Sequence, residues 1–422
     1  MRPTIKSQVR LTSQRWRREN GGRMEPSSGS AHADSPSPPA PGARLLRLLP
    51  KLAAVVFSLL YMGYFLSGWD PATGLTKHIS FGPNFDSGAL PALRAIPHVM
   101  NPDLVGYDGQ FYAQIALDPT LRYPALARAL DNPPYRARRV LLPWTAYIFG
   151  LGQPRWVLNA YVWQYLLFWA ATGFLLTRWI PLDSFFNLAR WSGCMFASGM
   201  LRAMDRALPD AASMLFVLGA LYFLETRREW RAAAVLALAA FARDINVLGA
   251  VMFGPPPPGK KQAWLLRAGQ MAAIVIPLAV WIVYLNYHFS GGDGLGARNF
   301  LLPGMGFVNK AVSDTYDLWV HPNHHDIRME FLLLATMTFR LVYLCVYRDW
   351  RDPVWRLGAI YVLLALCLGD AVWEGYFGAY QRVLIPLTFA FNLRLLSAKH
   401  GAALAFIGNI DAWALVITSV FG

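Results

Sequence analysis

Charge is scarce in this chain. Only 15% of its 422 residues are Asp, Glu, Lys or Arg, against about 25% in an ordinary soluble domain, so a soluble enzyme does not fit. Cysteine is scarcer still. Cys194, Cys345 and Cys367 each stand in an apolar stretch, which argues against a disulfide framework. No internal repeat is detectable, and an inverted-repeat transporter therefore has no sequence support. No small-residue cleavage site follows the first apolar run, and the basic stretch before it is far too long for a cleaved signal peptide. What the chain does have is apolar and aromatic surface: 55% hydrophobic residues with 16 Trp, 18 Tyr and 25 Phe, and a mean hydropathy of +0.30. This excludes a disordered protein and describes a polytopic membrane protein, whose lipid-facing side chains carry no charge. Lys and Arg number 39 against 25 Asp and Glu, a net charge of +14. In a membrane protein that excess reads as positive-inside topology, attraction to anionic head groups, or contact with a phosphorylated substrate, rather than as nucleic-acid binding.

Residues 1–50 hold nine arginines and lysines before any long apolar run, and residues 27–42 are rich in Ser, Pro and Ala. Such a composition cannot bury a core and predicts a disordered cytoplasmic tail that anchors the topology. Residues 51–422 form the membrane domain. Apolar runs predict spans at 52–69, 156–177, 185–204, 207–225, 232–253, 264–288, 331–347, 355–372, 379–396 and 402–421. A further short run, 140–152, makes the total ten or eleven. If it crosses, cytoplasmic segments hold 21 Lys and Arg against 16 outside, which favours eleven. That reading leaves Arg227, Arg228 and Arg231 outside, against the rule. It places Pro255–Pro258 inside, with Lys260 and Lys261. The expected fold class is an all-α integral membrane protein with its N-terminus cytoplasmic.

The first external loop, residues 70–139, is the most informative segment. Gly106-Tyr107-Asp108-Gly109-Gln110-Phe111-Tyr112 predicts a turn, then an amphipathic helix from about Gln110 to Leu117 with Phe111, Ile115 and Tyr112 against the bilayer surface. Asp108 stands at the start of that helix, where an aspartate also serves as an N-cap. Tyr107, Gln110 and Tyr112 around one carboxylate form a polar, ring-rich cluster of the kind that binds sugars. Arg136, Arg138 and Arg139 precede the next apolar run at head-group level. They either bind a donor phosphate as bidentate forks or snorkel to lipid phosphates.

These segments carry a resemblance. Residues 107–112, Ile115-Ala116-Leu117-Asp118-Pro119 and Tyr135-Arg136-Ala137-Arg138-Arg139-Val140-Leu141-Leu142-Pro143 resemble a group of bacterial multi-pass membrane proteins associated with cell-surface glycopolymer formation. That group resembles in turn the GT-C superfamily of membrane glycosyltransferases. The resemblance implies a cytoplasmic N-terminus in the bacterial inner membrane, and a first external loop with a catalytic acid and interfacial amphipathic helices. It implies a polyprenyl-phosphate-linked sugar as donor and a glycan or glycolipid as acceptor. Asp108 takes the place of the catalytic acid; where many members carry two adjacent acids, Tyr107 and Gly109 flank it here. Chemically, a carboxylate deprotonates the acceptor hydroxyl while the bond from sugar C1 to phosphate breaks, and arginine neutralises the leaving phosphate. No cofactor is expected. No His/Asp set near Asp108 has metal-ligand spacing, although a divalent metal stays open.

Charges inside the spans are a second signal. Arg243 and Asp244 interrupt an apolar run, where either alone costs about 2.5–3.5 kcal/mol. They form a local ion pair or reach a shared cavity. Asp205, Arg206 and Asp210 are expected as a similar cluster on the cytoplasmic side. Between two late spans stand Asp370, Glu374, Tyr376, Tyr380, Gln381 and Arg382. They read either as an aromatic belt with one salt bridge, or as Glu374 and Arg382 closing the cavity over Asp108. The late loop, residues 290–329, holds His321, His324, His325 and Asp326. It keeps a rival reading open, a polymerase or ligase of lipid-linked glycans. A lipid or glycan transporter is the reading from another class.

Overall fold

The computed structural model describes residues 41–103, 105–289, 299–375, 378–395 and 400–414, with side chains from Leu48 onward. The first forty residues of the expected tail, Tyr376 and the end of the last expected span lie outside these. Among the described residues the architecture is all-helical, with three isolated bridges and no strand. Three helices are long and apolar enough to cross a membrane: Leu48–Leu66, Lys261–His288 and His325–Val346; Asp244–Phe253 and Pro353–Cys367 are apolar but shorter.

The helices run between two ends of one bundle. Helix α1 (Pro41–Leu66) takes in the last residues assigned to the tail and ends below the first loop. Within that loop lie α2 (Gly109–Leu117) and the single turn α3 (Pro133–Arg136). Next come α4 (Leu141–Phe149) and α5 (Pro154–Leu176). Helix α5 starts at the loop end, where Arg155 donates to the Pro71 carbonyl at 2.8 Å. It descends antiparallel to α1, with the Tyr61 and Trp169 rings 5.0 Å apart. Helix α4 folds back along the first half of α5: Thr145 donates to Gln164 Oε1 at 2.6 Å, and Gln164 Nε2 donates to the Leu142 carbonyl at 3.0 Å.

Residues 140–152 therefore fold back on α5 and do not form a helix of spanning length. Nine helical residues rise about 14 Å, less than half of a ~30 Å hydrocarbon core, and α4 ends beside the loop-end start of α5.

Helices α6 (Phe185–Met195) and α7 (Ser198–Asp205) together climb back to the loop end, broken at Phe196–Ala197. Helix α8 (Pro209–Glu225) descends, and α9 (Glu229–Ala242) returns. At the foot of α8, Glu225 meets Arg178 and Trp179 at the foot of α5. The run 232–253 is not one span. At Arg243 the backbone turns extended (φ −147°, ψ 112°), and the 3₁₀ segment Asp244–Phe253 runs back down α9, with Asn246 donating to the Ala239 carbonyl at 3.3 Å. Its foot returns to the foot of α9: Arg267 stacks on Phe253 and pairs with Glu229. A continuous helix would bury both charges side by side in hydrocarbon. The hairpin lifts them to its apex, where partners wait.

Helix α10 (Lys261–His288) climbs again and reaches the first loop, where Trp281 donates to the Ala137 carbonyl. The late loop is not irregular throughout, because it contains α11 (Met305–Val320). Phe307, Val308, Ala311, Val312 and Trp319 share one face of this helix, and Lys310 and Asp314 are buried on another, the amphipathic pattern of period 3.6. Helix α12 (His325–Val346) descends, α13 (Pro353–Cys367) ascends from its Asp352 cap, and α14 (Asp370–Trp373) and α15 (Ala379–Val383) lie at the loop end. Helix α16 (Ile385–Arg394) descends, and α17 (Gly401–Ile407) follows. A buried knot holds the last helices, in which Arg340 pairs with Asp411 at 2.5 Å and donates to Thr388 at 2.9 Å.

Candidate functional site: a carboxylate in an arginine network

The site is assembled where the loop end meets the two sharp turns, Arg206–Leu208 and Arg243–Asp244. Two glycines set Asp108 there. Gly106 adopts positive φ (64°), and a Cβ on it would stand 2.4 Å from the Gly82 nitrogen. A Cβ on Gly109 would stand 2.4 Å from the Arg206 carbonyl oxygen. Only a residue without a side chain lets the α2 start pack this closely on the turn after α7.

Helix α2 forms where expected but not on a bilayer surface. Its residues 109–116 are all buried, because it is covered on every side by apolar packing or by backbone. Gln110 accepts from the Gly82 nitrogen and donates to the Val105 carbonyl, both at 3.0 Å. It holds the loop together and has no amide edge left for a sugar. Tyr112 is 1% exposed, and its hydroxyl accepts from Arg139. Tyr107 is buried too, with Arg206 and Arg382 over its ring at 4.3 and 5.4 Å. The sugar-binding cluster expected from these three is therefore a packing and positioning cluster.

Asp108 makes no capping hydrogen bond. Its carboxylate meets Arg136 at 3.0 Å and Arg382 at 3.7 Å, and a quarter of the side chain stays open to solvent. Burial pushes its carboxyl up, but Arg136, Arg382 and Arg139 outweigh this and hold it at about 2. The site therefore carries an ionised carboxylate, a quarter of its side chain exposed, that does not serve its own helix.

The arginine triplet is tied down by carboxylates and rings. Arg136 grips Asp131 with two bonds of 2.8 and 2.6 Å as well as meeting Asp108. Arg139, 2% exposed, bonds Asp244 at 3.1 Å and the Tyr135 hydroxyl at 2.8 Å. Arg138 lies 5.5 Å from the Tyr135 ring. All three side chains are buried within the protein. Arg243 and Asp244 do not pair with each other. Arg243 meets Asp210 at 3.1 Å, and Asp244 meets Arg139. Asp210 lies on Asp108's side of the bundle, not opposite it, and Arg382 stands 3.7 Å from both carboxylates. Glu374 is exposed and makes no ion pair with Arg382, so the expected lid over Asp108 does not form through it. Tyr380 is fully buried between α14 and α15, against the Trp373 ring. His325 is exposed and pairs with Asp326 at 3.2 Å.

Asp131, Tyr135 and Arg202 belong to the site but did not stand out in the sequence, whereas Arg206 was expected in a cluster on the opposite side with Asp205 and Asp210. Asp131 and Tyr135 stand just before and within the single turn α3, Arg202 and Arg206 in and at the end of α7, and nothing in local spacing links the two places. Asp210, expected in that same cluster, stands in the first turn of α8, where acids are routine. Together the network holds seven arginines (136, 138, 139, 202, 206, 243 and 382) against five aspartates (108, 131, 205, 210 and 244), an excess of two positive charges. Among the described residues no three His, Cys, Asp or Glu side chains converge as a metal site. Compared with protein-family models, with characterised proteins and with solved structures, the chain matches none.

Proposed function

We propose that this protein is a membrane glycosyltransferase. It moves a sugar from a polyprenyl-phosphate carrier to a glycan or glycolipid at the outer face of the bacterial cytoplasmic membrane. The observation that carries this reading is Asp108. It is an ionised carboxylate, a quarter exposed, freed from helix capping and set in an arginine network with two positive charges in excess. A general base must be reachable by the acceptor hydroxyl, and a phosphate leaving group must meet preorganised cations. Both are present within one guanidinium of each other, since Arg382 faces Asp108 at 3.7 Å. In the step, the acceptor O–H proton passes to Asp108, the acceptor oxygen bonds to C1, and the C1–O electron pair leaves with the phosphate.

The side of the membrane follows from charge. The turns at the foot of the bundle hold eleven Lys and Arg (178, 227, 228, 231, 260, 261, 267, 348, 351, 356 and 394) against five acids (183, 225, 229, 349 and 352). At the loop end the two signs are nearly equal. The positive-inside rule sets the foot in the cytoplasm and Asp108 outside. Counting α6 with α7 as one traverse, and the α9 hairpin as returning to the foot, the chain crosses about nine times.

The test is Asp108→Asn in nanodiscs supplied with polyprenyl-phosphate sugars. Transfer is expected to fall by about 10²–10⁴-fold, with insertion and monodispersity unchanged. Full activity in this variant together with a dead His325→Ala would move the reading to a ligase of lipid-linked glycans.

A further inference from the structure

Beside Asp108, between α7 and α15, lies a recess of about 40 Å³ lined by Tyr107, Arg202, Arg206, Gly378 and Arg382. At roughly 10–15 Å³ per water it has room for about three waters, the space a phosphoryl group's oxygens would take. Tyr107 is its wall: the guanidiniums of Arg206 and Arg382 both stand over this ring, at 4.3 and 5.4 Å. Gly378 is its rim. It has positive φ (71°), and a Cβ there would press on Arg202 Nε at 3.1 Å. Arg382 touches Asp108 and Asp210 only at 3.7 Å, too far for a hydrogen bond, and its Nε has no hydrogen-bond partner among the described residues. Both carboxylates have a nearer arginine, Arg136 and Arg243. Asp205 faces Arg202 and Arg206, and Glu330, which pairs with Lys310 at 3.1 Å and accepts from the Gly378 nitrogen at 3.2 Å, also faces Arg202. Arg136 and Arg139, unlike Arg382, are already hydrogen-bonded to carboxylates.

We infer that this recess, and not the 136–139 triplet, binds the phosphoryl anion of a lipid phosphate. Identifying that lipid as the sugar carrier rests on the transferase reading; the anion site itself rests on the geometry. Three converging forks suit a phosphoryl group, whose oxygens accept several charge-assisted bonds at once. Arg382 links the anion to Asp108. A phosphate that draws this guanidinium away removes part of the carboxylate's neutralisation, which leaves Asp108 more basic when donor is present.

The experiment uses the full chain in phosphatidylcholine nanodiscs and follows tryptophan fluorescence on titration with farnesyl phosphate. Arg202→Gln and Arg206→Gln are each expected to weaken binding tenfold or more, while Arg138→Gln changes it less than threefold. Inorganic phosphate competes and farnesol does not. Arg206→Lys, which keeps the charge and the thermal transition, is expected to lose three- to tenfold because the fork is gone. Unchanged affinity in all three variants at 202 and 206 would overturn the assignment. So would equal competition by farnesol, or displacement by phosphatidylglycerol in the disc but not by inorganic phosphate, which marks a bulk-lipid contact. Normal farnesyl phosphate binding in these variants with transfer lost in Asp108→Asn would remove the site and keep the function. Binding that depends on Arg202 and Arg206 with transfer intact in Asp108→Asn would keep the site and remove the function.

Discussion

At the residue scale the network turns on competition for guanidiniums. Asp108 at about 2 is ionised at any physiological pH, yet a carboxylate held that low is a weak base. Burial works in the opposite direction and is the largest single influence; Arg136 is the largest influence holding the group down. Arg136→Gln should therefore raise the Asp108 carboxyl. The sign follows directly: a base with a raised pKa is protonated at higher pH, so the acid limb of the transfer profile moves upward. We expect a shift of one unit or more in kcat/KM against pH, measured in nanodiscs, and no shift in the Arg94→Gln control, an exposed loop arginine. In the unaltered protein the depressed carboxyl contributes to stability above the usual aspartate value near 3.9, and that contribution is lost as pH falls toward about 2.

At the scale of elements, the α9 hairpin explains the charges that a span cannot hold. Its apex delivers Arg243 to Asp210 and Asp244 to Arg139, tying α9 to α8 and to the end of the first loop. Removing one partner of such a buried pair costs about 3–5 kcal/mol, because the other charge is left uncompensated. Arg243→Met is expected to lower the thermal transition in detergent by several degrees. The double variant Arg243→Met/Asp210→Asn should recover most of that loss. If the single variant is as stable as the parent, the apex is solvated rather than clamped. Helix α2 makes a related point. The 107–117 stretch reads as amphipathic by its apolar positions, but its two glutamines are satisfied by backbone groups of flanking turns. A polar face that is bonded internally packs like an apolar one.

At the scale of the whole molecule, two departures from the hydropathy reading cancel. In the topology proposed above, the run 140–152 does not cross, which inverts the sidedness of everything after it. The run 232–253 turns back at Arg243 and inverts it again. From residue 254 onward the segments lie where the eleven-span reading puts them, including Pro255–Pro258 with Lys260 and Lys261 at the foot. Between the two departures, Arg227, Arg228 and Arg231 pass to the foot, which removes the objection they posed. Labelling checks this. With Cys345 and Cys367 changed to Ser, a cysteine at exposed Ser87 should react with an impermeant maleimide in intact spheroplasts, and one at exposed Arg228 only after lysis. Labelling of Arg228→Cys in intact cells would restore the crossing at 140–152 and with it the eleven-span reading.

The sequence by itself determined the class of the molecule and the raw material of its site. Low charge, long apolar runs and abundant aromatics specify helices for a bilayer, since no other arrangement satisfies the backbone there. Charge inside an otherwise apolar run marked Arg243 and Asp244, and polar, ring-rich loop clusters marked Asp108 and Arg382. Pairing was decided only by the tertiary structure. Asp108 and Arg382 are far apart in sequence, as are Arg139 and Asp244, and local periodicity carries no information about such partners. Hydropathy also measures how apolar a run is, not whether it turns back. A charged doublet in mid-run is compatible with a crossing helix or with a hairpin, and the choice falls to wherever counter-charges stand. Here they stand at the loop end, on Asp210 and Arg139, so the hairpin apex goes to them.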